Sequence, residues 1–437
     1  MWKRAGGLLE RNVSRSWVAP CRSVRMNSTE KEKVVILGTG WSSFRMVQSL
    51  SDKYKIVVVS PRNHFLFTPL LPSTTTGTLE FRSIVEPIRT SKIMDHVTYY
   101  QAHCTSFEPE KNLIHCESEY TGTFEVDYDK LVVGVGARNN TFGIEGVEEN
   151  AHFLKELQDA RSIRAHLLQN FEKAIIPTIS KHERSRILSC VIVGGGPTGV
   201  EYAAELCDFL WNDLPRAYPQ INAHEVKVTL LEAGPNILSA FDASMVKKAL
   251  TSLRKRGVDI RTDSAVSKVN PESLELDSGY KIPYGTLVWS TGVGPHEVVS
   301  KSPFKTERGR IVTDEYLKVL GTENVFAFGD CASPESGLLP ATAQVALQQG
   351  KYLARSLNRM QQNKELQEFK YHFLGNMAYI GGNKSLLESE YVNLSGWVSW
   401  IAWRAAYFTR LGSWVNKIQV PFDWTKTLIF GRDVTIF

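Results

Sequence analysis

Three glycines, Gly194, Gly196 and Gly199, stand in the run SCVIVGGGPTGVEYAAEL, between an apolar stretch and a helical one. The spacing G-x-G-x-x-G between strand and helix makes a phosphate cradle. The first glycine permits the tight turn, the second lets the backbone approach a pyrophosphate, and the third lets helix and strand pack closely. The helix N-terminus then faces the phosphates with its partial positive charge. Glu232 closes the next apolar run, VKVTLLEAG. A carboxylate there can accept both hydroxyls of an adenosine ribose and repels a 2′-phosphate, which favours NADH over NADPH. The segment DFLWNDLPRAYPQINAHE lengthens the connection, so the acid comes later than the usual spacing.

A second turn lies earlier, in KVVILGTGWSSFRMVQSL. Gly38 and Gly40 are present, Ser43 replaces the third glycine, and Ser60 stands where an acid would hold a ribose. By itself this run suits a structural turn as well as a nucleotide site. A third signal is VFAFGDCA, an apolar strand ending at Gly329–Asp330. Glycine leaves room for a ligand, and the aspartate can accept hydrogen bonds from a polyhydroxylated chain such as a flavin's ribitol. An aspartate at a strand end also serves as a helix cap. In a chain with two dinucleotide turns the flavin reading gains weight. The following ATAQVALQQGKYLARSL reads as a helix starting beside the flavin ring.

These residues need parallel strands alternating with helices to position them. The expected fold is therefore α/β, with two Rossmann-like dinucleotide-binding domains of the FAD/NAD(P)-linked reductase type and a C-terminal membrane-associating segment. The expected boundaries are 31–170 for the first part of the FAD domain, 171–297 for the NADH domain, 298–364 for the rest of the FAD domain and 365–437 for the tail. Residues 1–28 carry arginines and a lysine against the single acid Glu10, with serines and apolar residues interspersed. That is the composition of a mitochondrial transit peptide. The net charge of +5 is too weak to argue for nucleic acid. Six cysteines, at 21, 104, 116, 190, 207 and 331, form no CxxC and no metal-ligand pattern, so no metal is expected.

Together the motifs make the chain similar to the type II NADH:quinone oxidoreductases, or alternative NADH dehydrogenases, in their mitochondrial eukaryotic branch. The resemblance runs from about Lys33 to the C-terminus. It is carried by GTGWSS, SPRNHFLFTPLLPS (60–73), GGGPTGVE (194–201), WSTGVGP (289–295), FAFGDCA (326–332), TAQVALQQ (342–349) and FDWTKTLIFGRD (422–433). It implies FAD held by Gly38, Gly40, Ser60, Pro61, Arg62 and Asp330. It implies NADH held by Gly194, Gly196, Gly199, Glu232 and Gly292. It further implies Glu201 near the nicotinamide, Gln344 where flavin and quinone meet, and Trp403 and Tyr407 at the quinone. Ser60 belongs to the family pattern. Leu347 stands where some members carry histidine, which puts a proton-donor role at that position in doubt.

The implied activity is single-subunit, non-proton-pumping NADH:ubiquinone oxidoreduction. Hydride passes to the flavin and electrons then pass to a membrane quinone. A disulfide reductase of the same architecture needs a cysteine pair near the flavin, and no cysteine occurs between Gly38 and Cys104. From another class, a nucleotide-sensing flavoprotein scaffold with little turnover is the alternative. The tail holds half of the ten tryptophans, with Trp400, Trp403, Tyr407, Leu411 and Trp414 at helical spacing and Arg404, Arg410, Lys417 and Lys426 interleaved. This suits a helix lying in the inner mitochondrial membrane interface, or else one packed on the core or in a homodimer; a transit peptide with no following apolar stop segment favours the matrix side.

Overall fold

Residues 31–89, 97–390 and 392–436 are described by the structure, a computed structural model. The segment read as a transit peptide lies outside them. Two five-stranded parallel sheets share one plan. In the first, the order is Val325–Ala327, Lys130–Val133, Lys33–Leu37, Lys55–Val59 and Val97–Tyr100. In the second it is His152–Phe153, Thr286–Trp289, Ser189–Val193, Lys227–Leu231 and Val258–Arg261. Each central strand runs into a glycine turn. Ser189–Val193 is buried along its whole length and Lys33–Leu37 along all but its first residue. Such continuous apolar strands are what a parallel sheet covered on both faces requires.

The glycine turns occupy equivalent places. Gly38 has φ +96° and Gly194 has φ +112°, and a Cβ on either would lie within 2.6 Å of a carbonyl oxygen, that of Gly134 or of Ser290. No L side chain fits there. The irregular first turn also has a physical explanation. Ser43 directs its hydroxyl to the Leu37 carbonyl at 3.4 Å. The room it takes comes from Gly134, whose Cβ would fall 2.6 Å from Ser43 Oγ. The glycine missing from the turn is thus supplied by the neighbouring strand end.

The strand His152–Phe153 already pairs with Thr286–Trp289 of the second sheet. The expected boundary at 170 falls inside the helix Leu157–Ala174. The chain crosses between sheets earlier, on a two-residue strand too short to leave a periodic signal.

The tail forms a three-stranded antiparallel sheet, Asn376–Tyr379, Ser385–Glu388 and Asn393–Gly396, followed by helices Trp397–Arg410 and Trp414–Phe430. Here the expectation of a single aromatic helix from 400 to 414 is corrected. The helix ends at Arg410, and a second begins at Trp414 with the Ser413 hydroxyl capping Asn416. Most of the aromatic stripe faces inward. Trp403, Tyr407 and Leu411 are buried and join the main core with Val420 and Trp424. The outward face carries Trp397, Val398, Ile401, Trp414, Ile418 and Phe422 instead. Beyond the second helix the Arg432 side chain, only 8% exposed, pairs with Asp213 at 2.6 Å and Glu205 at 3.4 Å, fastening the tail to the helix Pro197–Asn212 and its C-cap. Among the described residues no helix is long and apolar enough to cross a membrane.

Candidate functional site

One cleft of about 1600 Å³ is lined by the turns that follow the central strands of both sheets. It gathers Gly38, Gly40, Ser60, Pro61, Arg62 and Asp330 with Gly194, Gly196, Glu232 and Gly292. Ligands of open α/β sheets bind at such strand ends. Every expected cofactor residue is on its wall except Gly199. That glycine acts from behind, since a Cβ on it would meet the Gly194 carbonyl oxygen at 2.0 Å.

In the second sheet, Glu232 follows the strand Lys227–Leu231 and is braced by its own surroundings. Its Oε2 accepts the Gly195 N–H at 2.7 Å and its Oε1 accepts the Gly234 N–H at 2.8 Å. Each oxygen keeps a further lone pair for a ligand hydroxyl. In the first sheet, Ser60 is buried, and its hydroxyl lies 3.1 Å from that of Thr39. Thr39 in turn donates to the Arg62 carbonyl at 3.0 Å. The serine fixes the turn against the strand end, a packing role that an acid could not fill without desolvating its charge.

Asp330 sits in the short turn Gly329–Cys331, where Gly329 has φ +70°. The turn is held by Gln349, whose Oε1 accepts the Gly329 N–H at 2.7 Å from the helix Ala343–Gln361. That helix packs tightly on the helix after the first glycine turn, since a Cβ on Gly350 would stand 2.2 Å from the Ser42 carbonyl oxygen. Burial pushes the Asp330 carboxyl up, and Lys155 and Arg310 pull it back. Burial lowers the Lys155 ammonium, and Asp330 opposes that shift. Lys155, Glu156, Gln349 and Thr39 carried no spacing signal of their own in the sequence, although Gln349 lies in the run TAQVALQQ.

The remaining expected residues lie away from the cleft wall. Glu201, in the helix Pro197–Asn212, is buried, and its Oε1 accepts the Tyr379 N–H at 3.0 Å. Burial pushes its carboxyl up to about 8, the hydrogen bond from Tyr379 and the nearby Trp403 indole pulling the other way. Trp403 and Tyr407 stand together with ring centroids 4.7 Å apart, and Tyr407 meets Phe67 edge-on at 5.8 Å. Burial drives the Tyr407 phenol far up, with the Glu201 charge adding to it. Glu201, Trp403 and Tyr407 thus form one buried cluster. Gln344 is not in it. Its amide donates to the Gly375 carbonyl at 3.3 Å and accepts the Leu374 N–H at 3.0 Å. From that helix start it is Thr342, Ala343 and Ala346 that reach the cleft.

The donor set suits a flavin dinucleotide. The first glycine turn leaves open space above Gly40, with the Arg62 guanidinium 3.8 Å from where a Cβ would stand. The buried Lys155 ammonium and Arg62 Nε have no hydrogen-bond partner among the described residues. Open backbone with the unpartnered Lys155 ammonium and a free Arg62 Nε beside it is the chemistry that a pyrophosphate satisfies.

Comparison with known proteins follows this division of the chain. Residues 32–350 match the family described as pyridine nucleotide-disulphide oxidoreductase, and residues 373–433 match the NDH2 C-terminal domain. The chain is 51% identical to a probable NADH dehydrogenase of Dictyostelium discoideum, over 95% of this chain and 94% of that one. It is 42% identical to an internal alternative NAD(P)H-ubiquinone oxidoreductase A1, mitochondrial, of Arabidopsis thaliana, over 93% of this chain and 86% of that protein. The solved structure of NDH2 from Plasmodium falciparum in complex with NADH is similar at a TM-score of 0.89 and 27% identity, covering 93% of this chain and all of that one.

Proposed function

Because this chain belongs to the type II NADH dehydrogenases, the NDH2 group within the pyridine nucleotide-disulphide oxidoreductases, we propose that it is a single-subunit NADH:ubiquinone oxidoreductase that does not pump protons. The observation that carries this reading is the one cleft lined by both glycine turns, with Glu232 at one strand end and Asp330 at the other. Bound there, FAD would supply two-electron chemistry, taking a hydride from NADH and passing two electrons, with two protons, to a quinone. The protein's part is to hold, orient and exclude water. Gly194 and Gly196 admit the NADH pyrophosphate beside Gly292, and Glu232 selects the unphosphorylated ribose. Gly38, Gly40, Ser60, Pro61 and Arg62 form the adenosine side of the FAD site, and Asp330 takes the ribitol.

Glu201, held up to about 8 by burial, keeps a proton near neutral pH beside Trp403 and Tyr407. In this reading it is the proton reservoir for quinone reduction, with the two aromatic residues forming the wall at the quinone. Gln344, expected where flavin and quinone meet, ties the helix start to Leu374 and Gly375 and positions it there. The exposed apolar face of the two tail helices supports peripheral contact with the inner mitochondrial membrane, the basic leader without a following apolar stop segment favours its matrix side, and the same face is the one a homodimer would use. The domain reading is retained, with the crossing moved to the strand His152–Phe153. The test is the absorption spectrum of the purified protein. A flavin spectrum bleached anaerobically by NADH and restored by a short-chain ubiquinone supports the reading. A persistent charge-transfer band without turnover points to a nucleotide-sensing scaffold instead.

A further inference from the structure

Lys155 belongs to the segment entering the second sheet's side of the molecule, yet its side chain reaches the cleft beside the first sheet's turns. It lies between the edge strand His152–Phe153 of the second sheet and Glu156, the N-cap of the helix Leu157–Ala174. Its backbone is fixed, since Asp159 Oδ2 accepts the N–H of Lys155 at 2.9 Å and of Glu156 at 2.8 Å. Lys155 lines the cleft, and its ammonium is buried and has no hydrogen-bond partner among the described residues. Its neighbours on the cleft wall include Arg62, which is paired with Glu156 at 2.9 Å and places its guanidinium near Gly40 in the glycine turn. Asp330, also on the wall, is close enough to act on Lys155 electrostatically but forms no ion pair with it. Leaving an ammonium buried and unpaired is costly, so the site is built for an anion beside it.

We infer that Lys155 is the counter-cation of the FAD pyrophosphate, contributed across the cleft by the second sheet's edge segment, so that FAD ties the two nucleotide-binding halves together. This rests on the reading of the cleft as a flavin site. The glycine turn at Gly38–Gly40 supplies backbone N–H groups to the diphosphate, Lys155 supplies a full charge, and Asp330 remains free for the ribitol. The lysine is a binding residue and takes no part in hydride transfer.

The experiment follows FAD release from purified holoenzyme by recovery of flavin fluorescence on dilution, at low and high ionic strength. The wild type, Lys155→Met and Lys155→Arg are compared, and circular dichroism checks each fold. Flavin in the wild type tests the reading of the cleft itself. Given that, Lys155→Met should release FAD about 10- to 100-fold faster, the range expected for one charge-assisted hydrogen bond. Its release should depend less on salt. Lys155→Arg should keep FAD, with the salt dependence intact, and this variant carries the test if Lys155→Met does not fold. The flavin midpoint potential should stay close to the wild-type value in every variant that retains FAD. The inference is overturned if Lys155→Met holds FAD as tightly as the wild type, or if it holds FAD but lowers the flavin potential, which would place the ammonium at the isoalloxazine. Release from Lys155→Arg as fast as from Lys155→Met, with its salt dependence lost, overturns it equally.

Discussion

The Glu232 carboxylate accepts the backbone N–H of Gly195 at 2.7 Å, so the residue proposed to select the nucleotide also braces the turn proposed to carry its phosphates. Glu232→Arg therefore does two things. It removes the acceptor for the ribose diol and offers a cation to a 2′-phosphate, and it frees the Gly195 turn. Turnover with both nucleotides should fall, but NADH should lose more. The ratio of kcat/KM for NADH over NADPH is expected to drop on the order of 100-fold, as when a site loses a charged hydrogen-bond acceptor. An unchanged ratio alongside a general loss would reduce Glu232 to a brace.

Asp330 should be required for flavin retention. Its carboxylate lines the cleft, and burial favours its neutral form unless a partner is present. Asp330→Ala should leave the chain folded, because the turn is held by Gln349 rather than by the aspartate. Flavin per chain after gel filtration should fall well below one. Full occupancy would mean that the ribitol is held by other groups.

How much of this could be read without coordinates differs from residue to residue. The second glycine turn and Glu232 can be read from the sequence because a pyrophosphate and a diol demand fixed residue types at fixed distances along the chain, whereas the first turn and Asp330 gain their reading only beside them and through the family resemblance. Lys155 does not, since a lysine before a helix is ordinary, and its place in the cleft depends on the edge pairing of His152–Phe153 with Thr286–Trp289. The aromatic tail shows the opposite failure. Its helical period is plain, but period alone does not say which face turns inward. Packing decides that. Trp403 meets Tyr379, Tyr407 and Trp424, and Tyr407 also meets Phe67, which lies in a distant part of the sequence.

The buried acid Glu201 should leave a mark on the pH dependence of stability. Its carboxyl is raised to about 8 from an ordinary value of 4.5. Between those values the folded state binds more protons than the unfolded one, so this group's contribution is full below about 4.5 and is lost as pH rises through 8. Glu201→Gln mimics the protonated form and leaves an acceptor for the Tyr379 N–H. The wild-type Tm should decline from pH 5 to pH 9 relative to that of the variant, so that the variant is the more stable at pH 8.5 and the two converge at pH 5. Parallel Tm profiles across this range would show that Glu201 is ionised throughout.

Contact with the membrane is best tested on the outward face of the tail, not by removing it. Deleting residues 396–437 would strip Trp403, Tyr407, Leu411, Val420 and Trp424 from the core. It would also leave Glu205 and Asp213 without Arg432, and losing one partner of a buried ion pair costs about 3–5 kcal/mol. Such a deletion reports on folding. Trp414, Ile418 and Phe422 instead recur every fourth residue on the second tail helix, at 78%, 70% and 65% exposure, so none of them supports the core. Changing all three to serine should leave Tm and flavin content near wild type. NADH oxidation with ferricyanide, which needs no membrane, should persist. Each of these side chains contributes about 1.5–3 kcal/mol on burial, so binding to liposomes should weaken by more than about 100-fold. Activity with a long-tailed ubiquinone in those liposomes should fall with it. If the triple variant still sediments with liposomes, the face is not the anchor. If membrane binding persists while a wild-type dimer becomes a monomer, the same residues cover each other between two copies of the chain.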